Sequence, residues 1–86
     1  MRFRLTEHVQ EEIVRRSISR AVLDEVLNHP QQVVDGYGGR RAYQSKVVVG
    51  DGRMLLIRAI VDDRVDPAVV VTAYRTSKIN KYWSHP

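Results

Sequence analysis

Cysteine is absent from the 86-residue sequence. Disulfide bridges, thiolate zinc sites and cysteine nucleophiles are therefore excluded. The sequence also lacks any apolar run close to the ~20 residues that a membrane-spanning helix needs. The first residues, Met1 to Glu7, are interspersed with charged side chains and do not resemble a signal peptide. We therefore expect a cytoplasmic protein that does not associate with a membrane.

The length predicts one domain over residues 1–86, because domains usually contain about 100–150 residues. The formal net charge of +4 is unevenly distributed. Residues 1–30 contain five Arg and five acidic residues, whereas residues 31–86 contain nine Lys or Arg and five acidic residues. The excess predicts a basic surface on the second half that attracts nucleic acid or an acidic protein. Ordinary solubilising charge is the alternative.

Two short amphipathic helices are predicted before residue 31. Thr6 is an N-cap candidate for a helix over about residues 7–16, and Ser19 is the candidate for a second helix. Asn28-His29-Pro30 ends the second helix, because the residue before a proline is displaced from the α region. Apolar residues recur at the spacing of one helical face. They are Val9 and Ile13, then Val22, Leu23, Val26 and Leu27.

After Pro30 the apolar period becomes that of β-strands. The strand candidates are residues 31–35, 41–49, 53–61 and 68–74. Asp51-Gly52 predicts a type I′ hairpin turn between the second and third of these strands. Residues 3–5 fit either a short strand or an extended lead-in, and Ser77 is a candidate cap for a last helical turn. We predict an α+β fold with two helices on one face of a three- to four-stranded antiparallel sheet.

Arg58 is an unusual residue because it interrupts an apolar strand. The alternation predicts that Leu55, Ile57, Ala59 and Val61 face the helices. Arg58 then lies on the opposite face of the sheet. There the side chain either extends to solvent or pairs with an acidic residue, or it stands in an open basic groove.

No nucleophile or phosphate-loop motif occurs in the sequence. His8, His29 and His85 lack metal-ligand spacing, so we expect no metal and no cofactor. The Arg, Lys, Tyr, Ser and Thr residues on the late strands suit RNA transesterification, in which the 2′-hydroxyl of RNA is the nucleophile. The protein has to remove the proton of that hydroxyl, neutralise the pentacoordinate phosphate and protonate the leaving 5′-oxygen. Arginine suits the second task, and a histidine, lysine or tyrosine suits the proton transfers.

The order of elements, with arginines on late strands and an aromatic C-terminal tail, resembles the RelE-type toxin ribonucleases of the barnase–EndoU–colicin–RelE group. The sequence is more similar still to a small bacterial domain family of unknown function within that group. In its pattern, arginines follow an early histidine, Ile-Ser opens a helix that ends in Asn-x-Pro, and the last strand reads Val-x-Thr-x-Tyr. The matching residues are His8, Arg15-Arg16, Ile18-Ser19, Asn28-His29-Pro30 and Val70 to Arg75.

The resemblance implies a RelE-like fold, a toxin-like endoribonuclease of the mRNA interferase type, an RNA substrate and a cognate antitoxin partner. Lys46, Arg58 and Arg75 correspond to the basic residues of the RelE-type sheet, and Tyr82 corresponds to the terminal aromatic residue. His8 has no counterpart in RelE itself and the second strand lacks a lysine cluster, which favours cleavage of free RNA over ribosome-bound RNA.

We expect the catalytic residues to be His8, Arg58 and Arg75, and the RNA contacts to be Arg41, Lys46, Tyr74, Lys78 and Tyr82. The alternative is a non-enzymatic module of the same fold that binds RNA or an acidic protein. A homo-oligomer is also open on the sequence.

Overall fold

The computed structural model describes residues 1–85. Its elements follow a β-α-α-β-β-β-β-α order along the chain. They are β1 (Phe3–Leu5), α1 (Glu7–Arg15), α2 (Arg20–Asn28), β2 (Gln32–Asp35), β3 (Arg41–Val48), β4 (Met54–Asp62), β5 (Ala68–Thr76) and α3 (Ile79–Tyr82). A 3₁₀ turn over Tyr37–Gly39 joins β2 to β3. The predicted α+β class is confirmed. No helix within residues 1–85 is long and apolar enough to cross a membrane.

The sheet has five strands in the order β1-β5-β4-β3-β2. The prediction of three to four antiparallel strands is wrong in two respects, because β1 is a full member of the sheet and pairs in parallel with β5. The other pairs are antiparallel. β1 is only three residues long, and so short a segment carries no pattern that specifies its partner. The pairing places β5 between two strands and leaves its edge beyond Val70 without a strand partner on that side.

Both predicted N-caps are present. The Thr6 hydroxyl accepts a hydrogen bond from the Val9 amide at 3.2 Å, and the Ser19 hydroxyl accepts one from the Val22 amide at 3.1 Å. Each cap satisfies one of the amide groups that the first turn of a helix leaves unpaired. His29 ends α2 in a non-helical conformation immediately before Pro30, which confirms the predicted end of that helix.

The β3–β4 hairpin has the predicted register, with Val47 opposite Leu55 and Val48 opposite Met54. The turn differs from the predicted type I′. Gly52 alone in the loop has a positive φ, of 86°, and its amide donates to the Val49 carbonyl at 2.8 Å. A type I turn followed by a glycine in the left-handed region produces this three-residue loop. Glycine is needed at only one position, because Gly50 and Asp51 keep negative φ values.

The hydrophobic core lies between the two N-terminal helices and one face of the sheet. α1 and α2 contribute Val9, Ile13, Leu23, Val26 and Leu27, all buried. The sheet contributes Tyr43, Ile57, Ala59, Val61, Val70 and Ala73. The predicted alternation of β4 is confirmed, because Ile57, Ala59 and Val61 belong to this core and Arg58 lies on the other face. We call that other face the distal face; it carries Ala42, Gln44, Lys46, Leu56, Arg58 and Ile60.

The C-terminal segment folds back over the distal face. α3 is one turn long, and the predicted Ser77 cap is wrong, because the Thr76 hydroxyl accepts from the Lys78 amide at 3.0 Å instead. Beyond α3, the side-chain amide of Gln32 makes two hydrogen bonds to the backbone of Ser84, at 2.7 and 3.0 Å. None of the α3 residues is fully buried, so polar and aromatic contacts hold this segment on the sheet.

Candidate functional site

Arg58 is the centre of a polar cluster on the distal face. It is half-buried in the middle of β4. Its Nε donates to Gln44 Oε1 at 2.8 Å, and its Nη1 donates to the Tyr74 hydroxyl at 2.6 Å. Both acceptors are uncharged. Among residues 1–85 no carboxylate oxygen lies within 4.0 Å of this guanidinium, so its charge is not neutralised by an ion pair. An arginine fixed by neutral partners remains available to an anion.

Gln44 fixes the orientation of Arg58. The Gln44 side chain is fully buried, and its Nε2 donates to Gln32 Oε1 at 2.8 Å and to the Tyr82 carbonyl at 3.1 Å. Because both amide hydrogens are used, the Gln44 oxygen is left to accept from Arg58. The same residue therefore connects the sheet, the arginine and the C-terminal segment.

Two tyrosine rings enclose the Arg58 guanidinium. Its Cζ lies 4.2 Å from the centroid of the Tyr82 ring and 5.8 Å from that of Tyr74. Burial raises the pKa of the Tyr82 hydroxyl, but hydrogen bonding to Lys81 and Tyr74 and the charges of Lys81 and Arg58 outweigh it and lower the pKa. A tyrosine whose pKa is lowered is a better proton donor at neutral pH than an ordinary one.

Lysines line an open cleft of about 650 Å³ next to this cluster. Lys46 of β3 stands on one side, with its Nζ 4.1 Å from the Trp83 ring centroid. Lys78 and Lys81 of the C-terminal segment stand on the other side, and no acidic residue lines the cleft. A second cavity, of about 410 Å³, is lined by Arg58 itself together with Arg40, Asp35, Tyr37 and Tyr82. The distal face therefore presents cations and aromatic rings together.

A different polar cluster occupies the open edge of β5. Glu12 of α1 is only 3% exposed and accepts a hydrogen bond from the Thr72 hydroxyl at 2.8 Å. Its other oxygen lies 3.1 Å from Arg16 Nη1 and 3.2 Å from His8 Nε2. Arg16 Nη1 also donates to the Ala73 carbonyl at 2.7 Å. The pairing register of β5 shifts by one residue near Val61, so that Val71 is an extra residue just before Thr72.

The edge cluster opens into a pocket of about 600 Å³. We call it the edge pocket; its residues are Arg15, Arg16, Thr72, Tyr74 and Arg75. Tyr74 belongs to this pocket and also contacts Arg58. The two clusters are therefore neighbours along β5, with Tyr74 between them.

The predicted site residues divide between several surfaces. Arg58, Tyr74, Tyr82, Lys46 and Lys78 lie together on or beside the distal face. The other three predicted residues, Arg75, His8 and Arg41, lie elsewhere.

Arg75 pairs with Ile57, next to the Arg58–Tyr74 pair. Because side chains alternate between faces along a strand, Arg75 and Arg58 lie on opposite faces, although both were expected among the catalytic residues. His8 lies on α1 at the edge cluster. Arg41 is bound by the Asp63 carboxylate at 2.6 Å, and this ion pair competes with any contact to RNA.

Three important residues were missed by the sequence analysis: Glu12, Thr72 and Gln44. A sequence signal exists for the first, because His8, Glu12 and Arg16 are spaced by four and therefore lie along one side of a helix. Gln44 and Thr72 carry no such signal, because their partners are distant in the chain.

Part of the excess positive charge of residues 31–86 is paired with acidic side chains. Three of its arginines pair with aspartates, in Arg41–Asp63, Arg53–Asp51 and Arg64–Asp62.

Within residues 1–85 no three His, Asp or Glu side chains come together in a group that could hold a metal ion. Residues 5–75 match the family model described as domain of unknown function DUF4258, and the chain belongs to that family. The matched range contains Arg58 with its partners Gln44 and Tyr74, and it contains the residues of the edge cluster. Tyr82 and the rest of the C-terminal segment lie beyond it. No curated protein and no solved structure matches the chain.

Proposed function

We propose that this protein is a toxin-like endoribonuclease that cleaves RNA by attack of the 2′-hydroxyl, without a metal ion. The observation that carries the proposal is Arg58: it is half-buried, oriented by Gln44 and Tyr74, and has no carboxylate partner among the described residues. Leaving a partly buried cation without a counter-charge costs free energy. A phosphate group supplies that counter-charge through charge-assisted hydrogen bonds to the guanidinium nitrogens.

The surroundings of Arg58 favour a nucleic acid over an isolated phosphate. Lysines line the neighbouring cleft without an acidic residue, which suits the repeated charges of a polynucleotide backbone. Tyr82 and Trp83 offer rings beside these cations. Stacking of bases on aromatic side chains contributes about 1–3 kcal/mol per base for single strands. Single-stranded RNA therefore fits both features of the distal face.

The proposed reaction needs no nucleophile from the protein. The RNA 2′-oxygen attacks the phosphorus, and the bond from phosphorus to the 5′-oxygen breaks, leaving a 2′,3′-cyclic phosphate and a 5′-hydroxyl. One group on the protein takes the proton of the 2′-hydroxyl, and another gives a proton to the 5′-oxygen. His8 is the proposed acceptor, and Tyr82, with its lowered pKa, is the proposed donor. Arg58 stabilises the charge on the phosphate oxygens.

The resemblance to RelE-type toxins extends the proposal to a biological role. An endoribonuclease of that kind inhibits growth and is neutralised by a cognate antitoxin that covers its basic surface. Membership of a family with no assigned reaction neither supports nor opposes this role. Expression of the protein in a bacterial host, with growth measurement and mapping of RNA 5′-ends, tests it directly.

The decisive experiment uses the purified protein and a labelled single-stranded RNA in the presence of EDTA. Cleavage with 2′,3′-cyclic phosphate ends is expected. Arg58→Ala should lower the rate by roughly 10²–10³-fold, the usual effect of removing one donor to a transition-state anion. Arg20→Ala is the matched control, because Arg20 is an exposed arginine on α2 that pairs with Asp24, and it should leave the rate unchanged.

Two outcomes contradict the proposal. If Arg58→Ala is as active as the native protein, or loses activity only because its circular dichroism spectrum shows unfolding, Arg58 is not the phosphate-binding group. If RNA binds to the distal face but no variant and no native sample cleaves it, the non-enzymatic RNA-binding module is the better account. Binding of the labelled RNA, measured in parallel by fluorescence anisotropy, separates these outcomes.

A further inference from the structure

The edge cluster has no role in the sequence-based prediction apart from His8. Glu12 is a buried carboxylate with three partners on two elements, and the Arg16 guanidinium is fixed by Glu12 and the Ala73 carbonyl. Buried ion pairs contribute little net stability, because the cost of desolvating both charges offsets their attraction. A buried carboxylate that is held by a hydrogen bond and by an arginine is therefore a candidate for a functional role.

We infer that the edge pocket holds a second phosphate group of the RNA, next to the one that reacts at Arg58, and that Glu12 is a positioning residue that orients His8 and Arg16 toward the RNA. This inference rests on the proposed function and specifies a further part of its substrate-binding site. Three arginines border the pocket: Arg15, Arg16 and Arg75. Arg15 and Arg75 have no carboxylate within 4.0 Å in the part of the chain that the structure describes. Of the three arginines, Arg16 is the one paired with Glu12.

The hydroxyl groups of the pocket are engaged by neighbouring side chains. The Tyr74 hydroxyl accepts from Arg58 Nη1 and hydrogen-bonds to Tyr82. The Thr72 hydroxyl donates to Glu12. The three arginines are therefore the donors that the pocket presents. A phosphodiester, with charged oxygens and no donors, is complementary to this arrangement.

Glu12 lies beside one ring nitrogen of His8. Nε2 is 3.2 Å from Glu12 Oε2, and a carboxylate accepts hydrogen bonds only. The inference therefore assigns the ring proton to Nε2 and the free lone pair to Nδ1. The His8 side chain is 64% exposed, so Nδ1 is accessible to the 2′-hydroxyl of a bound RNA. Glu12 does not touch the substrate; it acts through His8 and Arg16.

The test compares Glu12→Gln with Glu11→Gln, an exposed neighbour on the same helix that serves as the matched control. Glutamine keeps the size of the side chain and an oxygen for Thr72 but removes the charge. In Glu12→Gln, kcat for RNA cleavage should fall roughly 10–100-fold, part of the effect of a general base. KM should not rise, because one negative charge has been removed from an anion site. A purely structural role for Glu12 predicts that both parameters change together, or that neither changes.

A second readout does not depend on cleavage. The ring ¹⁵N shifts of His8 in nuclear magnetic resonance spectra report which nitrogen is protonated. The Nε2–H form should dominate in the native protein and in Glu11→Gln, and should be depleted in Glu12→Gln. Inorganic phosphate should shift the amide signals of Thr72 and Arg75 in the native protein, and the shifts should weaken in Arg15→Gln.

The possible results separate the two proposals. If no RNA is cleaved but the His8 signature and the phosphate shifts appear, the nuclease proposal fails and the edge pocket remains an anion site. If RNA is cleaved while Glu12→Gln leaves kcat and the His8 signature unchanged, Glu12 has no positioning role. If phosphate shifts neither Thr72 nor Arg75, or shifts them equally in Arg15→Gln, the pocket does not hold the phosphate. Should Glu12→Gln fail to fold, Thr72→Val tests the positioning role without altering any charge, because it releases Glu12 from its hydrogen bond; kcat should again fall.

Discussion

Replacing Gln44 with alanine is a stringent test of the distal face, because Gln44 joins three parts of the structure. The substitution removes the acceptor for Arg58 Nε and the donor to both Gln32 and the Tyr82 carbonyl. The hydrogen bond to the charged guanidinium contributes about 1.5–3 kcal/mol and each neutral one about 0.5–1.5 kcal/mol. Allowing for replacement by water at the partly exposed partners, we expect a loss of about 3 kcal/mol in the free energy of unfolding. A domain of this size then melts about 12–24 °C lower.

The assay is urea unfolding followed by circular dichroism, with the fluorescence of Trp83, the only tryptophan, as a second probe. Trp83 stacks on Lys46, so loss of Gln44 should change its emission even without urea. Gln10→Ala is the control, because Gln10 is exposed and makes one long hydrogen bond of 3.3 Å; it should change stability by less than about 0.5 kcal/mol. A loss below about 1 kcal/mol in Gln44→Ala, with unchanged Trp83 emission, would refute the idea that this network holds the C-terminal segment.

Three further predictions concern separate features. Affinity for single-stranded RNA should fall with salt, with a slope of roughly −0.7 per phosphate neutralised; binding that is flat between low and physiological salt points to a protein partner. The hydrogen bond from Arg41 keeps the pKa of Asp63 below its ordinary value. Asp63 therefore adds stability above pH ~4. This stability is lost as the pH falls through the folded pKa of Asp63, because the unfolded state then binds more protons than the folded state. The urea midpoint of Asp63→Asn should depend less on pH in that range. Ser19→Ala should cost about 1 kcal/mol of stability through loss of the α2 cap, whereas an unchanged melting temperature would show that the hydrogen bond to Val22 is not stabilising.

Much of the fold could be predicted because its determinants are local. The caps at Thr6 and Ser19, the end of α2 before Pro30 and the β3–β4 register each depend on residues a few positions apart. The turn type was predicted wrongly at the same hairpin, because Gly50 extends the loop to three residues and so changes which position needs a positive φ. Local rules identified the elements and failed where one added residue changed the geometry.

The candidate site was predicted only in part. Arg58 was found because a charge in an apolar strand is visible in the sequence, and its strand neighbours determine its face. Glu12 looked like an ordinary acidic residue in the first turns of a helix, where it favours the helix dipole. Its actual partner, Thr72, is 60 residues away, and no pattern of spacing connects the two. Arg58 and Arg75 do not share a face for a simpler reason. Arg75 follows Tyr74, the strand partner of Arg58, and consecutive positions of a strand lie on opposite faces.

The sequence by itself determined where α1, α2 and the strands β2 to β5 lie, which of their faces are apolar, and that cations accumulate in the second half. These properties follow from backbone preferences and side-chain alternation, which act over a few residues. Only the tertiary structure decided that β1 pairs in parallel with β5, that Asp63 neutralises Arg41 and that Gln32 holds the backbone of Ser84, 52 residues away. Such contacts depend on how the elements pack in three dimensions, and the same local pattern is compatible with many packings. The sequence therefore determines where the cationic residues stand in the chain. The fold determines which of them are paired with a carboxylate and which stay free to bind an anion.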